Sequence, residues 1–431
     1  MQLLLRRGRK AGPPSPASPD KRGLSGRSRL LTEHNTHPYL LLSLGYWQSL
    51  SLKNQVVVLG CGVGGLTFAS TLAKQAKGSA SVTVIERKSR FQFPPSYTWV
   101  VMGWREPKQV QRDLTPLARK KVKIINEAVI KIDLSAKRVA TSSSQIAYDY
   151  LVVALGAEHV PGEIPGFEDY AHQFYDLVSA LKFREALNGF AGNTVSVGVS
   201  RTPFKCPAAP YEMSLLLDDN FRKQGKKVEV HMFTPEAQAL PATGPVIGKQ
   251  VERMLATRGI KYHPKKKLVK VARDSIVFED GEEINHDLLV AVPPHRCPSV
   301  VVDAGLTDSS GWVPVNPNTL ATKVEDVYAI GDVSAIETPH GHMPFLPKAG
   351  VFAQGQAEIL ANNIAHSITG KGERKAWDGS GTCFLEVSKS ESAFLRGTFL
   401  SKPPRLEFHP PRRKWHFDKI ALEKFWMTYR L

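Results

Sequence analysis

One turn constrains this chain more than any other feature: the stretch NQVVVLGCGVGGLTFASTLAKQ, which starts at Asn54. An apolar run, Val56 to Leu59, leads into Gly60, Gly62 and Gly65 in G-x-G-x-x-G spacing, and Leu66, Ala69, Leu72 and Ala73 then recur at helical intervals. SVTVIER at residues 81–87 reads as a second strand, with Glu86 lying 21 residues beyond Gly65. Gly60 permits the tight turn, Gly62 lets the backbone approach a pyrophosphate, and Gly65 lets helix pack on strand, while the helix N-terminus attracts phosphate charge. Glu86 is placed to accept from ribose hydroxyls. A ligand-free glycine turn is the competing reading, and the strand, turn, helix, strand context disfavours it.

Further strands are expected at residues 148–156, 194–200, 227–234, 287–294 and 326–334, with helices between them at Tyr211 to Gln224 and Gly248 to Arg258. Such alternation predicts an α/β architecture with two parallel sheets. No repeat of solenoid period is present.

Charge is unevenly placed. The 431 residues carry a formal net charge of +17. Residues 1–53 hold nine basic and two acidic residues, and residues 401–431 hold eight and three, leaving +5 on the 347 between them. A basic excess gathered at the termini does not make a nucleic-acid-binding face, so no nucleic-acid partner is expected. Residues 1–31 are rich in Arg, Ser and Pro with Asp20 as their single acid, a composition that suits disorder or an organellar targeting peptide. The least charged stretch, residues 34–52, is too polar and short for a spanning helix.

The glycine fingerprint, the LVVALGA strand around Gly156 and the late VYAIGDVS around Gly331 and Asp332 together resemble the flavoprotein disulfide reductase superfamily. Within it the chain is similar to sulfide:quinone oxidoreductases and to the flavoprotein subunit of flavocytochrome c sulfide dehydrogenase, over roughly residues 54–431. The resemblance implies two dinucleotide-binding, Rossmann-like domains, the second inserted in the first, with a C-terminal amphipathic helical segment. Its boundaries would be 1–53 for an extension, 54–160 and 291–370 for the FAD-binding domain, 161–290 for the second domain and 371–431 for the C-terminal region. It also implies FAD, held by Gly60, Gly62, Gly65 and Glu86 at the ADP half, Gly156 in the crossing loop, Gly331 with Asp332 at the ribityl chain, and Lys348 beside the flavin ring. For Asp332 alone a turn-forming role is the simpler reading. Lys348 would favour anionic reduced flavin.

Where a second glycine fingerprint would follow the strand near residue 198, the sequence reads RTPFKCPAAPYE. A nicotinamide pyrophosphate has no cradle there, which argues against NADH as donor. Four cysteines without a CxxC pair exclude a disulfide scaffold and make a metal site unexpected. By resemblance, Cys206 in KCPAAPYE and Cys383 in GSGTCFLEV are the redox pair; buried, inert cysteines are the plainer alternative. Lys205 is expected to lower the Cys206 pKa. Cys61 and Cys297 carry no assigned chemistry.

Glu212, His295, His340 and His342 are candidate proton handlers, although Glu212 also suits a helix N-terminus. In HFDKIALEKFWMTYRL, helical projection groups Lys419, Glu423 and Arg430, with Phe417, Ile420, Ala421, Phe425 and Trp426 around the remaining circumference. After Arg412 to Lys414 this suits a helix lying on a membrane surface, and docking on the protein's own core is the rival. The expected function is FAD-dependent oxidation of sulfide to sulfane sulfur, with a sulfur acceptor and a membrane quinone as partners. The expected form is a peripheral membrane protein that can form homo-oligomers. Alternatives are a flavocytochrome-type sulfide dehydrogenase, a type II NADH:quinone oxidoreductase and a non-catalytic flavoprotein.

Overall fold

The glycine turn sits at the centre of a parallel sheet. In a computed structural model describing residues 53–339, 343–428 and 430, strand β1 (Asn54–Leu59) pairs with β2 (Ala80–Ile85), which pairs with β3 (Val122–Ile125), while β4 (Tyr150–Val153) flanks β1 on its other side. Val56 to Leu59 are buried on both faces, which is why the run is continuously apolar rather than alternating. The N-terminal extension, His340 and His342 lie outside the described residues.

After β4 the chain builds a second sheet from β5 (Thr194–Val199), β6 (Glu229–Phe233), β7 (Lys261–His263) and β8 (Leu288–Val292), parallel throughout in the order β7-β6-β5-β8. It then returns, and β9 (Val327–Ala329) pairs with β4 to complete the order β9-β4-β1-β2-β3. This strand is shorter than its sequence suggests, because Gly331 at φ +75° turns the chain immediately after it.

Helix α1 (Val63–Gln75) follows the glycine turn, and α2 (Ala209–Lys223) follows β5. Helix α2 opens on Pro210, which spares an amide that would lack a partner, and closes on Arg222 and Lys223, cations suited to its C-terminal end. Helix α3 (Gly350–Thr369) packs along α1.

The C-terminal region holds strands that the sequence reading did not anticipate. Antiparallel β10 (Ser380–Glu386), β11 (Ser392–Thr398) and β12 (Arg405–Arg412) precede helix α4 (Arg413–Thr428). Gly381, Gly397 and the pair Pro410, Pro411 mask them, since glycine and proline are both poor strand formers.

Candidate active site

Two of the three fingerprint glycines are required by contacts within the chain. Gly60 adopts φ +92°, and a Cβ there would lie 2.5 Å from the Ala154 carbonyl oxygen. A Cβ on Gly65 would lie 2.0 Å from the Gly60 oxygen, whereas one on Gly62 would meet nothing within 4 Å. Gly62 therefore faces open space at the N-terminus of α1, which has no side-chain cap. Glu86 braces the turn, accepting from the Cys61 amide at 2.7 Å and the Lys88 amide at 3.0 Å. Cys61 contributes through its backbone; burial lifts its thiol above the ordinary range. Gly156, in the crossing loop, holds φ +74°.

At the end of β9 the Gly331 amide donates to Gln356 Oε1 at 2.7 Å. One oxygen of Asp332, Oδ1, is buried with no hydrogen-bond partner among the described residues. Burial raises the Asp332 carboxyl, while Lys205 and Lys348 act to lower it. An acceptor kept dry and unpaired is costly unless a donor arrives, and a ribityl hydroxyl supplies one. Beside it is a recess of about 230 Å³ lined by Gly331, Ser334, Leu346, Lys348, Phe352 and Gln356.

Lys348 donates from Nζ to the Asp332 carbonyl at 2.6 Å and the Ser334 carbonyl at 3.3 Å, over the face of Trp312 at 3.4 Å from its centroid. Burial pushes its ammonium down to about 8. Its own carbonyl accepts from the Cys206 amide at 2.7 Å, so the flavin-side segment and the Cys206 loop are stitched together through the backbone.

That loop occupies the ground of a second fingerprint. Gly198 survives for packing, since a Cβ there would strike the Phe233 ring at 2.3 Å. Phe204 is buried and Cys206 takes the left-handed φ of +54° just before α2. Glu236, following β6 much as Glu86 follows β2, is buried instead of presented, and burial pushes its carboxyl up to about 7.

Cys383 comes to Cys206 from β10, opposite Leu395, at the seam where the hydrophobic cores beneath the two parallel sheets meet. Neither thiol is in a disulfide. Cys206 is exposed as a residue, yet the protein packed around its sulfur first, and then the neighbouring Cys383, push its thiol up. Burial and Glu212 push Cys383 up to about 11. Lys205 and Cys206 act on each other in the expected sense, and Lys419 is a second cation, acting on both thiols.

Lys419 is one of the residues the sequence reading placed elsewhere. Its Nζ donates to Glu212 Oε1 at 2.9 Å and lies 3.8 Å from Glu386 Oε1. Glu212 also accepts from Thr98 Oγ1 at 2.6 Å and from the Glu386 amide at 3.2 Å, and His416 donates to Glu386 at 2.8 Å. Burial raises Glu212 and the two carboxylates together keep Lys419 protonated. Glu386, Thr98 and His416 carried no sequence signal. Lys419 and Glu423 did, as an i, i+4 charged stripe.

That stripe is the docking face of α4, with Glu423 accepting from Ser96 at 2.7 Å and Arg105 at 2.8 Å. Trp426 is also buried, stacked on Phe91 with centroids 5.5 Å apart, contrary to its expected outward face. Burying such a ring is worth about 2 kcal/mol or more. Phe417 and Phe425 stay exposed at 64% and 42%. Arg112 and Lys120 donate to the Met427 and Arg430 carbonyls, closing the helix C-terminus. His295 is half-buried, and desolvation lowers its imidazole pKa well below the ordinary range.

A family model described as pyridine nucleotide-disulphide oxidoreductase matches residues 54–357. The chain belongs to this family. It is an FAD-dependent oxidoreductase, and the braced glycine turn, the unpaired Asp332 oxygen and the Lys348 recess fit that cofactor. Among curated proteins the chain is similar to the sulfide-quinone reductase of Aquifex aeolicus, 27% identical over 395 residues and covering 87% of this chain and 91% of that one. It is also similar to the mitochondrial sulfide:quinone oxidoreductase of Mus musculus, 28% identical over 364 residues and covering 81% and 79%. The solved sulfide:quinone oxidoreductase of Aquifex aeolicus superposes with a TM-score of 0.80 at 25% identity, over 88% of this chain and 91% of that one.

Proposed function

We propose that this protein oxidises sulfide to sulfane sulfur and passes the electrons to a membrane quinone, with Cys206 and Cys383 as its redox pair. The observation that carries this reading is the convergence of the two thiols, under the charge of Lys419, beside the Lys348 segment. With the pair oxidised, hydrosulfide attacks one sulfur of the bridge; an S–S bond forms, the original one breaks, and a thiolate leaves. The persulfide sulfur then goes to a nucleophilic acceptor. When bound, FAD supplies the two-electron relay between thiolate and quinone.

The chain's own groups set up each stage. The Cys206 loop fixes one sulfur against the flavin side through the Lys348 carbonyl. Lys419 stabilises each departing thiolate, which buried surroundings otherwise disfavour. A shallow apolar depression lined by Ala208, Leu240, Val251, Cys383, Phe394 and Phe408 offers a surface on which a quinone ring could rest beside the thiol. Next to its Leu385, Glu212, whose carboxyl burial raises, is the group placed to handle a proton in quinol formation, with Lys419 holding it in position. The NADH-linked alternative is disfavoured by the Cys206 loop and the buried Glu236.

Among the described residues no helix is long and apolar enough to cross a membrane. Phe417, Ala421 and Phe425, with Arg413, Lys414 and Lys424 beside them, form the outward face of α4 and suit peripheral contact with anionic lipid.

The test is anaerobic titration of the FAD-loaded protein with sulfide and, separately, with NADH, followed by decylubiquinone or cytochrome c. Sulfide is expected to bleach the flavin and decylubiquinone to restore it. Bleaching by NADH and not by sulfide overturns the reading, and sulfide-driven bleaching that survives Cys206→Ser overturns the cysteine mechanism.

A further inference from the structure

Two histidines face each other where the chain crosses between the sheets. The short segment Glu158–His159 pairs antiparallel with His295–Arg296, setting the imidazole centroids 4.7 Å apart. Tyr175 stands edge-on to both, at 6.2 Å from His159 and 5.7 Å from His295, and its hydroxyl donates to the Cys206 carbonyl at 3.4 Å. The cluster therefore adjoins the loop that carries the thiol.

Its hydrogen bonding is incomplete in a specific way. His295 Nδ1 lies 2.8 Å from the Pro293 carbonyl. A carbonyl only accepts, so the proton sits on Nδ1 and Nε2 presents a lone pair. That Nε2 and His159 Nε2 are both buried and have no partner among the described residues. Burial first, and Lys205 after it, keep His159 neutral down to about pH 3. His295 is lowered by burial, by His159 and by Lys205, with a smaller push from Lys348. Asp176 acts on His159 in the opposite sense. The Lys205 ammonium acts on both rings yet makes no hydrogen bond or ion pair with the described residues.

A lone pair beside an unpaired ammonium selects for a ligand that is negative and also has a hydrogen to give. Chloride and sulfate answer only the ammonium, and water can bond to both groups but brings no negative charge. Hydrosulfide answers both, its sulfur accepting from Lys205 and its S–H donating to an imidazole Nε2. We propose that His159, His295 and Lys205 form a receiving site for hydrosulfide next to the Cys206 loop. The inference rests on the sulfide reading above and adds where the substrate waits before it attacks.

Stopped-flow reduction of the FAD-loaded protein by sulfide tests it. If the unmodified protein is not reduced by sulfide, the functional reading itself falls, and the receiving site with it. If it is reduced, His295→Leu and Lys205→Met should each raise the sulfide concentration for half-maximal rate by about tenfold or more. The limiting rate should change by no more than about twofold, with the flavin spectrum unchanged. An unchanged half-saturation, or a loss confined to the limiting rate, overturns the site. A shifted flavin spectrum or lost FAD also overturns it, by placing these residues in the cofactor cradle. Should His295→Leu not fold, the unreactive Cys206→Ser, Cys383→Ser protein with ¹⁵N-labelled histidine gives a second readout. Sulfide should move the ring-nitrogen resonances of two histidines, and no movement overturns the site.

Discussion

Lys419, near the middle of the last helix, donates to Glu212 in the first turn after the Cys206 loop at 2.9 Å, and both side chains are about 6% exposed. Lys419→Met leaves Glu212 and Glu386 buried without their cation. Removing one member of a buried ion pair costs about 3–5 kcal/mol, to be read from urea unfolding. Glu212→Gln should cost less, because Lys419 keeps Glu386 at 3.8 Å. In Lys419→Met the Cys206 thiol, freed of the cation that lowers it, should need a higher pH for alkylation than in the unmodified protein.

Two alanine substitutions in the fingerprint should part company. Gly65→Ala drives a Cβ into the Gly60 carbonyl and should destabilise the fold with or without cofactor. Gly62 has an ordinary φ of −70° and free space, so Gly62→Ala should leave the thermal midpoint of the FAD-free protein within about 2 °C. Its FAD affinity should fall by about tenfold or more, because the methyl group occupies the pyrophosphate approach.

Glu236 sets a pH dependence. Its folded value of about 7 is raised above the ordinary carboxyl value, so between about pH 4.5 and 7 the folded state holds more protons than the unfolded state and stability falls as pH rises. Glu236→Gln should flatten that slope and gain up to about 3 kcal/mol at pH 8, measured by chemical denaturation across this window.

The outward face of α4 predicts lipid binding that charge and apolarity share. Phe417→Asp, or Lys414→Glu with Lys424→Glu, should weaken sedimentation with anionic vesicles while leaving sulfide-driven flavin bleaching intact. Equal sedimentation of all variants would remove the membrane reading of this face.

The fingerprint and both parallel sheets were legible because local rules govern them: Gly60 and Gly65 must be glycine whatever surrounds them, and Val56 to Leu59 must be buried on both faces. Long-range features were not. Whether Lys419 points to water or into the protein depends on Glu212, 207 residues away, and no helical projection contains that fact. The charges around Cys206 are long-range too: beside its sequence neighbour Lys205 stand Cys383 from β10 and Lys419 from α4. His159 and His295 are 136 residues apart and meet only through a two-residue strand pairing.

Helix α4 has a consequence for synthesis of the chain. Strand β9, the last to join the first sheet, is made only after the whole second sheet, and Lys419 is made later still. A nascent polypeptide can therefore lay down the glycine turn long before it can shelter Glu212, so a ribosome-bound or prematurely terminated product would leave that carboxylate, and the apolar ground that β10 and α4 cover, open to water. Such products should be marked for proteolysis by that defect, and tags fused after residue 430 should be judged by whether they let the helix seat.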